Sequence, residues 1–229
     1  MPANASPPDS GRIFCIGRNY AEHARELDNP LPTEPVVFMK PAACLCRSGG
    51  TIAFPRHGES LHQEVEIVIR IGVGGRDIPA AEAAAHIDGV SVGFDLTLRD
   101  VQNRLKDRGL PWEKAKAFEN AAPIGTFAPA DGLDLGAIEF GCAITGEPRQ
   151  RGNTRDMLFS IPQLVEYLSG IWTLAPGDLV YTGTPAGVGP VEPGDELVAE
   201  AAGIGCFRWT IAPRSDGDVP ADAPASSAK

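Results

Sequence analysis

Eight short apolar runs recur along the chain: IFCIG (13–17), PVVFMK (35–40), EVEIVIRI (64–71), GVSVGFDLT (89–97), EFGCAIT (139–145), DLVYTG (178–183), DELVAE (195–200) and CFRWTI (206–211). Their length and β-branched content predict strands. Helical spacing is rarer. It marks NYAEHARELD after Gly17, the Ala-rich AAEAAAHID, the amphipathic LTLRDVQNRLKDRG ending at Gly109, and TRDMLFSIPQLVEYLSG ending at Gly170, with Pro162 inside it. Strands outnumber helices and do not alternate regularly with them, which disfavours a doubly wound sheet and predicts a strand-rich α+β fold. The Pro/Ser/Ala-rich ends have no periodicity, so disordered tails are expected at 1–11 and 214–229 around one catalytic domain at 12–213.

Composition narrows the class. A 229-residue chain with 43% hydrophobic residues can build an ordinary globular core. A net charge of −10 without any basic run argues against a nucleic-acid role. No apolar run reaches the roughly 18 residues of a membrane span, and five scattered cysteines suit reduced thiols better than a disulfide framework. A cytoplasmic protein with no membrane partner is expected.

The chemistry begins in LHQEVEIVIRIG (61–72), where Glu64 and Glu66 stand two apart at the start of a strand and so share one face. Two readings are open. The pair ends a strand in solvent, or it is covered and compensated by a cation. Asp95 inside another apolar run adds weight to the second, because a mid-strand Asp is disfavoured and costly to bury alone. Three carboxylates without a Cys/His cluster would make a hard oxygen site. His23 and Glu26, three apart on a predicted helix, are either an incidental surface pair or an oriented general base. Arg99 and Gln102 share a helix face beside Asp95; Lys114 and Lys116 read equally as exposed lysines. The glycines of TGTPAGVGP (182–190) fit either a tight turn or a pocket wall with Thr182 and Thr184 as donors. GVGGRD (72–77) lacks the last glycine of a dinucleotide loop. His57, His62 and His86 read as surface or supporting residues, and Cys44 and Cys46 as buried small apolar groups.

Taken in order, GRNYAEH, EPVVFMKP, HQEVE, GFDLTLRDVQ, GLPWEKAKAFE and TGTPAGVGP resemble the fumarylacetoacetate hydrolase family, in its acylpyruvase and fumarylpyruvate hydrolase branch, from about residue 13 to 211. The resemblance implies a mixed β-roll or β-sandwich with a few peripheral helices, usually a homodimer. It implies Mg²⁺ or Mn²⁺ on Glu64, Glu66 and Asp95, catalytic roles for His23, Glu26 and Lys116, and substrate contacts from Arg18, Arg99, Gln102 and Thr184. One departure is Gln63, where many relatives carry a histidine; a perturbed outer layer is expected, with the ligand set unchanged.

The activity this implies is metal-dependent hydrolysis of the C3–C4 bond of 2,4-dioxo acids such as fumarylpyruvate or acetylpyruvate, giving pyruvate and a carboxylic acid. The alternative is oxaloacetate tautomerisation or decarboxylation through the same enolate chemistry. A non-catalytic metal- or dicarboxylate-binding scaffold is the third reading, which absence of divalent-metal binding would favour. Specificity for the far end of the substrate is expected from the loop at 28–34.

Overall fold

The computed structural model describes residues 11–26 and 30–213. The expected tails, apart from Gly11, and the start of the 28–34 loop lie outside the described residues. In chain order the strands are β1 (Arg12–Gly17), β2 (Val36–Pro41), β3 (Leu45–Arg47), β4 (Thr51–Ile52), β5 (Leu61–Gln63), β6 (Val65–Ile71), β7 (Ile87–Phe94), β8 (Thr97–Leu98), β9 (Ala122–Ile124), β10 (Ala128–Pro129), β11 (Glu139–Ile144), β12 (Glu147–Asn153), β13 (Leu179–Tyr181), β14 (Gly189–Pro190), β15 (Glu196–Ala201) and β16 (Gly205–Ile211). Helices are α1 (Ala21–Glu26), α2 (Arg99–Asp107), α3 (Glu113–Lys116) and α4 (Ile161–Ile171). The fold is strand-rich α+β, as the sequence predicts.

The largest sheet has eight strands, ordered β2-β1-β13-β6-β7-β9-β3 with β10 on β7; a five-stranded sheet runs β12-β11-β15-β16-β4, and β14-β5-β8 form a third. Residues alternate between two apolar cores, as a pleated strand requires. Phe14 and Ile16 of β1 and Ile67, Ile69 and Ile71 of β6 face the larger core, which also takes Leu197 and Trp209 of the second sheet. Ile13, Cys15 and Val68 face the smaller. Trp209 meets Phe94 edge-on, with ring centroids 5.6 Å apart, and Leu164, Val165 and Leu168 of α4 complete the larger core. With both faces covered, the central strand β6 loses the apolar/polar alternation of a half-exposed strand, which is why VEIVIRI is nearly continuous. Glu64 and Glu66 have the parity of Val68 and lie on the smaller core's side.

Three expectations need correction, and one strand lies outside those the sequence predicts. Asp95 is not mid-strand: β7 ends at Phe94, and the Asp95 N–H donates to the Glu64 carbonyl at 2.8 Å. Pro162 does not interrupt a helix but sits in the first turn of α4, where a missing N–H costs nothing and Ser160 and Gln163 form a capping box. The Ala-rich segment is a 3₁₀ helix at Ala80–His86, seven residues without a side-chain cap between Pro79 and β7. Strand β12 has no apolar period, yet it pairs with β11 through a turn at Thr145 and Gly146 with φ of 48° and 84°, the two-residue hairpin geometry that twists with its strands.

Candidate active site

Pairing of β6 with β7 sets Val65 opposite Phe94, and so brings the residues just before one and just after the other side by side. Glu64, Glu66 and Asp95 are 5%, 1% and 2% exposed, which excludes the solvent-edge reading. One carboxylate oxygen from each lies within 4.8 Å of the others. Unpaired, such a cluster would cost several kcal/mol per ion, so the fold surrounds it with cations. Lys116 Nζ bridges Glu64 Oε2 at 2.8 Å and Asp95 Oδ2 at 2.6 Å. Arg99 pairs with Glu64 Oε1. Lys40 approaches Asp95 Oδ1 at 2.7 Å and donates to the carbonyls of Leu96 at 3.2 Å and Ala121 at 2.5 Å.

The three acids differ in charge state. Burial pushes Glu64 up, but Lys116, Arg99 and His23 outweigh it and hold the carboxyl well below its usual range. Glu66 forms no ion pair among the described residues, and Lys116 acts on it more weakly than the charges that raise it. Burial, then Asp95 and Glu64, push it well above the ordinary value, and its Oε2 accepts the Gly183 N–H at 2.8 Å. The Asp95 Oδ1 atom has the Lys40 ammonium 2.7 Å away as an ion pair but accepts no hydrogen bond among the described residues. Three buried hard oxygens, one of them short of a donor and another strained by like charge, fit a divalent cation such as Mg²⁺ or Mn²⁺.

The pocket over this floor is lined by residues from five segments: Ile16, Gly17 and Arg18 at the end of β1; His23 of α1; Phe38; Arg99, Gln102 and Lys106 of α2 with Trp112 and Lys116; and Thr184. His23 is buried, with Nδ1 3.4 Å from Glu26 Oε2. Glu26 in turn accepts the Gly187 N–H at 3.1 and 3.3 Å. Burial lowers the imidazole pKa below the ordinary value, aided by Arg99 and opposed by Glu64 and Glu26, so the ring is neutral at pH 7. Lys116 moves the other way: burial opposes its charge, but Asp95 and Glu64 more than restore it.

TGTPAGVGP is part of the wall. Gly183 and Gly187 have φ of 103° and 97°, and a Cβ on Gly187 would stand 2.3 Å from the Arg149 carbonyl, so only glycine lets the loop close in. The Gly187 carbonyl accepts from Gln63 Nε2 at 3.1 Å; Gln63 therefore supports the loop that holds Glu26, without touching the carboxylates. The Thr184 hydroxyl donates to Val65 O and accepts from Gln150 Nε2, each at 2.8 Å, leaving it no free proton for a ligand. Gln102 Oε1 accepts from Arg99 at 2.6 Å, which leaves its amide N–H groups for the pocket. Arg18 lines the rim in a left-handed conformation, φ 60°.

Three residues that matter here are not singled out by the sequence reading. Lys40 is the clearest: a lysine inside the apolar run PVVFMK is as anomalous as Asp95 and carries the same signal. Gln150, on β12, ties Val65 N at 2.9 Å to Thr184 and Pro185; the Thr-Gly turn was its only sequence trace. Lys106 reads as part of a solvated face. Lys114 is exposed, the His57 Nε2–H donates to the Lys114 carbonyl at 2.7 Å, and Cys44 and Cys46 are buried thiols.

Comparison with known proteins gives a consistent picture. The family model described as fumarylacetoacetate (FAA) hydrolase C-terminal matches residues 12–212. The chain is 43% identical over 201 residues to the Arabidopsis thaliana protein named oxaloacetate tautomerase FAHD1, mitochondrial, covering 87% of this chain and 90% of that one. It is 42% identical over 199 residues to the Dictyostelium discoideum oxaloacetate decarboxylase, mitochondrial, covering 86% and 91%. The fumarylpyruvate hydrolase of Pseudomonas aeruginosa, crystallised with Mn²⁺ and pyruvate, superposes with a TM-score of 0.85 at 39% identity, over 90% of this chain and 91% of that one.

Proposed function

The chain belongs to the fumarylacetoacetate hydrolase family, and from that premise we propose that it is a divalent-metal-dependent enzyme interconverting the enol and keto forms of oxaloacetate. The observation that carries the reading is geometric: His23, held by Glu26, and the Lys116 ammonium, paired with Glu64 and Asp95, line one pocket floored by three carboxylates. Keto–enol exchange needs a base at C3 and a donor near the 2-oxo oxygen, and these two groups match those needs.

When bound on Glu64, Glu66 and Asp95, the ion would supply Lewis acidity and coordination positions for a 2-oxo acid. His23 takes or returns the proton at C3, with Glu26 holding the ring in orientation. Lys116 hydrogen-bonds the oxygen on which charge develops. Arg99 and the Gln102 amide orient the carboxylate, which places the C3 proton against the imidazole. The identity to the tautomerase and decarboxylase relatives supports this reading.

The second reading is hydrolysis of an acylpyruvate, favoured by the His23–Glu26 pair, which suits water activation, and by the likeness to the Pseudomonas fumarylpyruvate hydrolase. One set of assays separates them. Loss of enol absorbance from oxaloacetate, pyruvate release from oxaloacetate, and pyruvate release from acetylpyruvate and fumarylpyruvate are each followed with Mn²⁺ and with chelator. Chelator-sensitive ketonisation faster than any cleavage supports the tautomerase. Pyruvate release from an acylpyruvate outpacing it moves the assignment to the hydrolase.

A further inference from the structure

On α2, Arg99, Gln102 and Lys106 stand at i, i+3 and i+7 and so share one face. The face is a graded ruler about 10 Å long, seven residues at roughly 1.5 Å each. Its inner end, Arg99, is paired with Glu64, and Gln102 is bonded to Arg99. Its outer end, Lys106, has no carboxylate partner among the described residues. The ammonium lies 5.5 Å from the centroid of the Trp112 ring, half-buried in the pocket wall. Burial, Arg99 and Arg18 together lower it to about 8. Arg18 lines the same pocket, and it too has no ion pair among the described residues. Two cations that repel each other, one of them withdrawn from water onto an indole, make a place where an anion is missing.

A solvated helix end does not account for this arrangement. Cations in the last turn of a helix are favoured by the dipole without any burial, and Arg104 shows that ordinary case, exposed and paired with Asp100 at 3.3 Å. Lys106 instead turns into the pocket. We propose that Lys106, with Arg18, recognises a second carboxylate at the far end of the substrate, so that the site selects 2-oxo dicarboxylates over 2-oxo acids ending in an alkyl group. This rests on the reading of the pocket as a 2-oxo acid site. It also shifts the source of specificity from the loop at 28–34 to α2.

The test is binding, which does not depend on turnover. Calorimetry on the Mn²⁺-loaded protein compares 2-oxoglutarate with 2-oxopentanoate, equal in length and differing only in the terminal carboxylate, and uses oxalate to report the metal end alone. Wild-type protein binds 2-oxoglutarate about 10–100-fold more tightly than 2-oxopentanoate, the range of one charge-assisted hydrogen bond. Lys106→Gln and Lys106→Met bring that ratio towards one, Lys106→Arg restores part of it, and Arg18→Gln lowers it in the same direction. Equal losses for all three ligands would place Lys106 at the metal end and overturn the proposal, as would an unchanged ratio. If the wild-type protein binds none of the three, the 2-oxo acid reading falls with it; an intact ratio without oxaloacetate turnover removes only the proposed reaction.

Discussion

Replacing Lys40 with methionine removes one charge and keeps nearly the same length of apolar stem, so the change isolates what the ammonium does. Lys40 is 1% exposed. Its Nζ donates to Leu96 O and Ala121 O and stands as a counter-charge 2.7 Å from Asp95 Oδ1. Lys40→Met removes a donor from two buried carbonyls, of which Ala121 O keeps the Leu96 N–H at 3.0 Å, so one acceptor is left short at about 1–3 kcal/mol and the compensation of a buried acid weakens. Asp95 keeps Lys116 at 2.6 Å, so the loss belongs at the low end of the roughly 3–5 kcal/mol found when buried pairs are broken. An overall destabilisation of about 3–4 kcal/mol follows, or roughly 6–16 °C in Tm at 2–4 °C per kcal/mol for a chain of this size. The assay is urea unfolding in EDTA and in saturating Mn²⁺. Metal stabilises the folded state by about 2.7 kcal/mol at a hundred times its Kd, and because it also compensates Asp95, the deficit of the variant should narrow in Mn²⁺. A loss below about 1 kcal/mol in EDTA, or a deficit that grows with metal, would refute the view of Lys40 as counter-charge to the acidic floor.

Other expectations follow from the same geometry. Asp95→Ala abolishes Mn²⁺ binding measured by calorimetry while circular dichroism stays native; retained metal affinity would remove Asp95 from the ligand set. His23→Ala lowers kcat by about 10²–10⁴-fold yet keeps oxalate affinity for the Mn²⁺-loaded protein within about threefold. In the wild type, kcat/KM falls on the acid side at a pH below the ordinary imidazole value of 6.5, because burial, with Arg99, lowers the pKa of the base and activity needs the neutral ring. Glu26→Gln removes a group that raises that pKa, so the acid limb moves still lower; a limb moving upward would contradict the assigned pairing.

How much of this was readable beforehand depends on what kind of signal each residue leaves. Glu64, Glu66 and Asp95 were legible because charges inside apolar β-branched runs conflict with their surroundings, and the conflict is local. Strand parity then placed the two glutamates on one face without knowledge of the partner strand. Lys40 left the same local conflict in PVVFMK and shows how far the rule reaches. Gln150 and Lys106 left none: a polar strand such as EPRQRGN acquires its burial from the sheet it joins, and Lys106 differs from Arg104 only through Trp112 and the pocket beside it. Thr184 marks the opposite case. Its motif was legible, but the hydroxyl is spent on Val65 and Gln150, and that competition exists only in the folded chain.

The most direct measurement is the rate of enol-oxaloacetate ketonisation, followed by absorbance, for wild-type and His23→Ala protein with Mn²⁺ and with EDTA. The expected result is a rate well above the uncatalysed one that requires both metal and His23. A rate that survives EDTA, or one unchanged in His23→Ala, would contradict a metal-dependent exchange run by that imidazole.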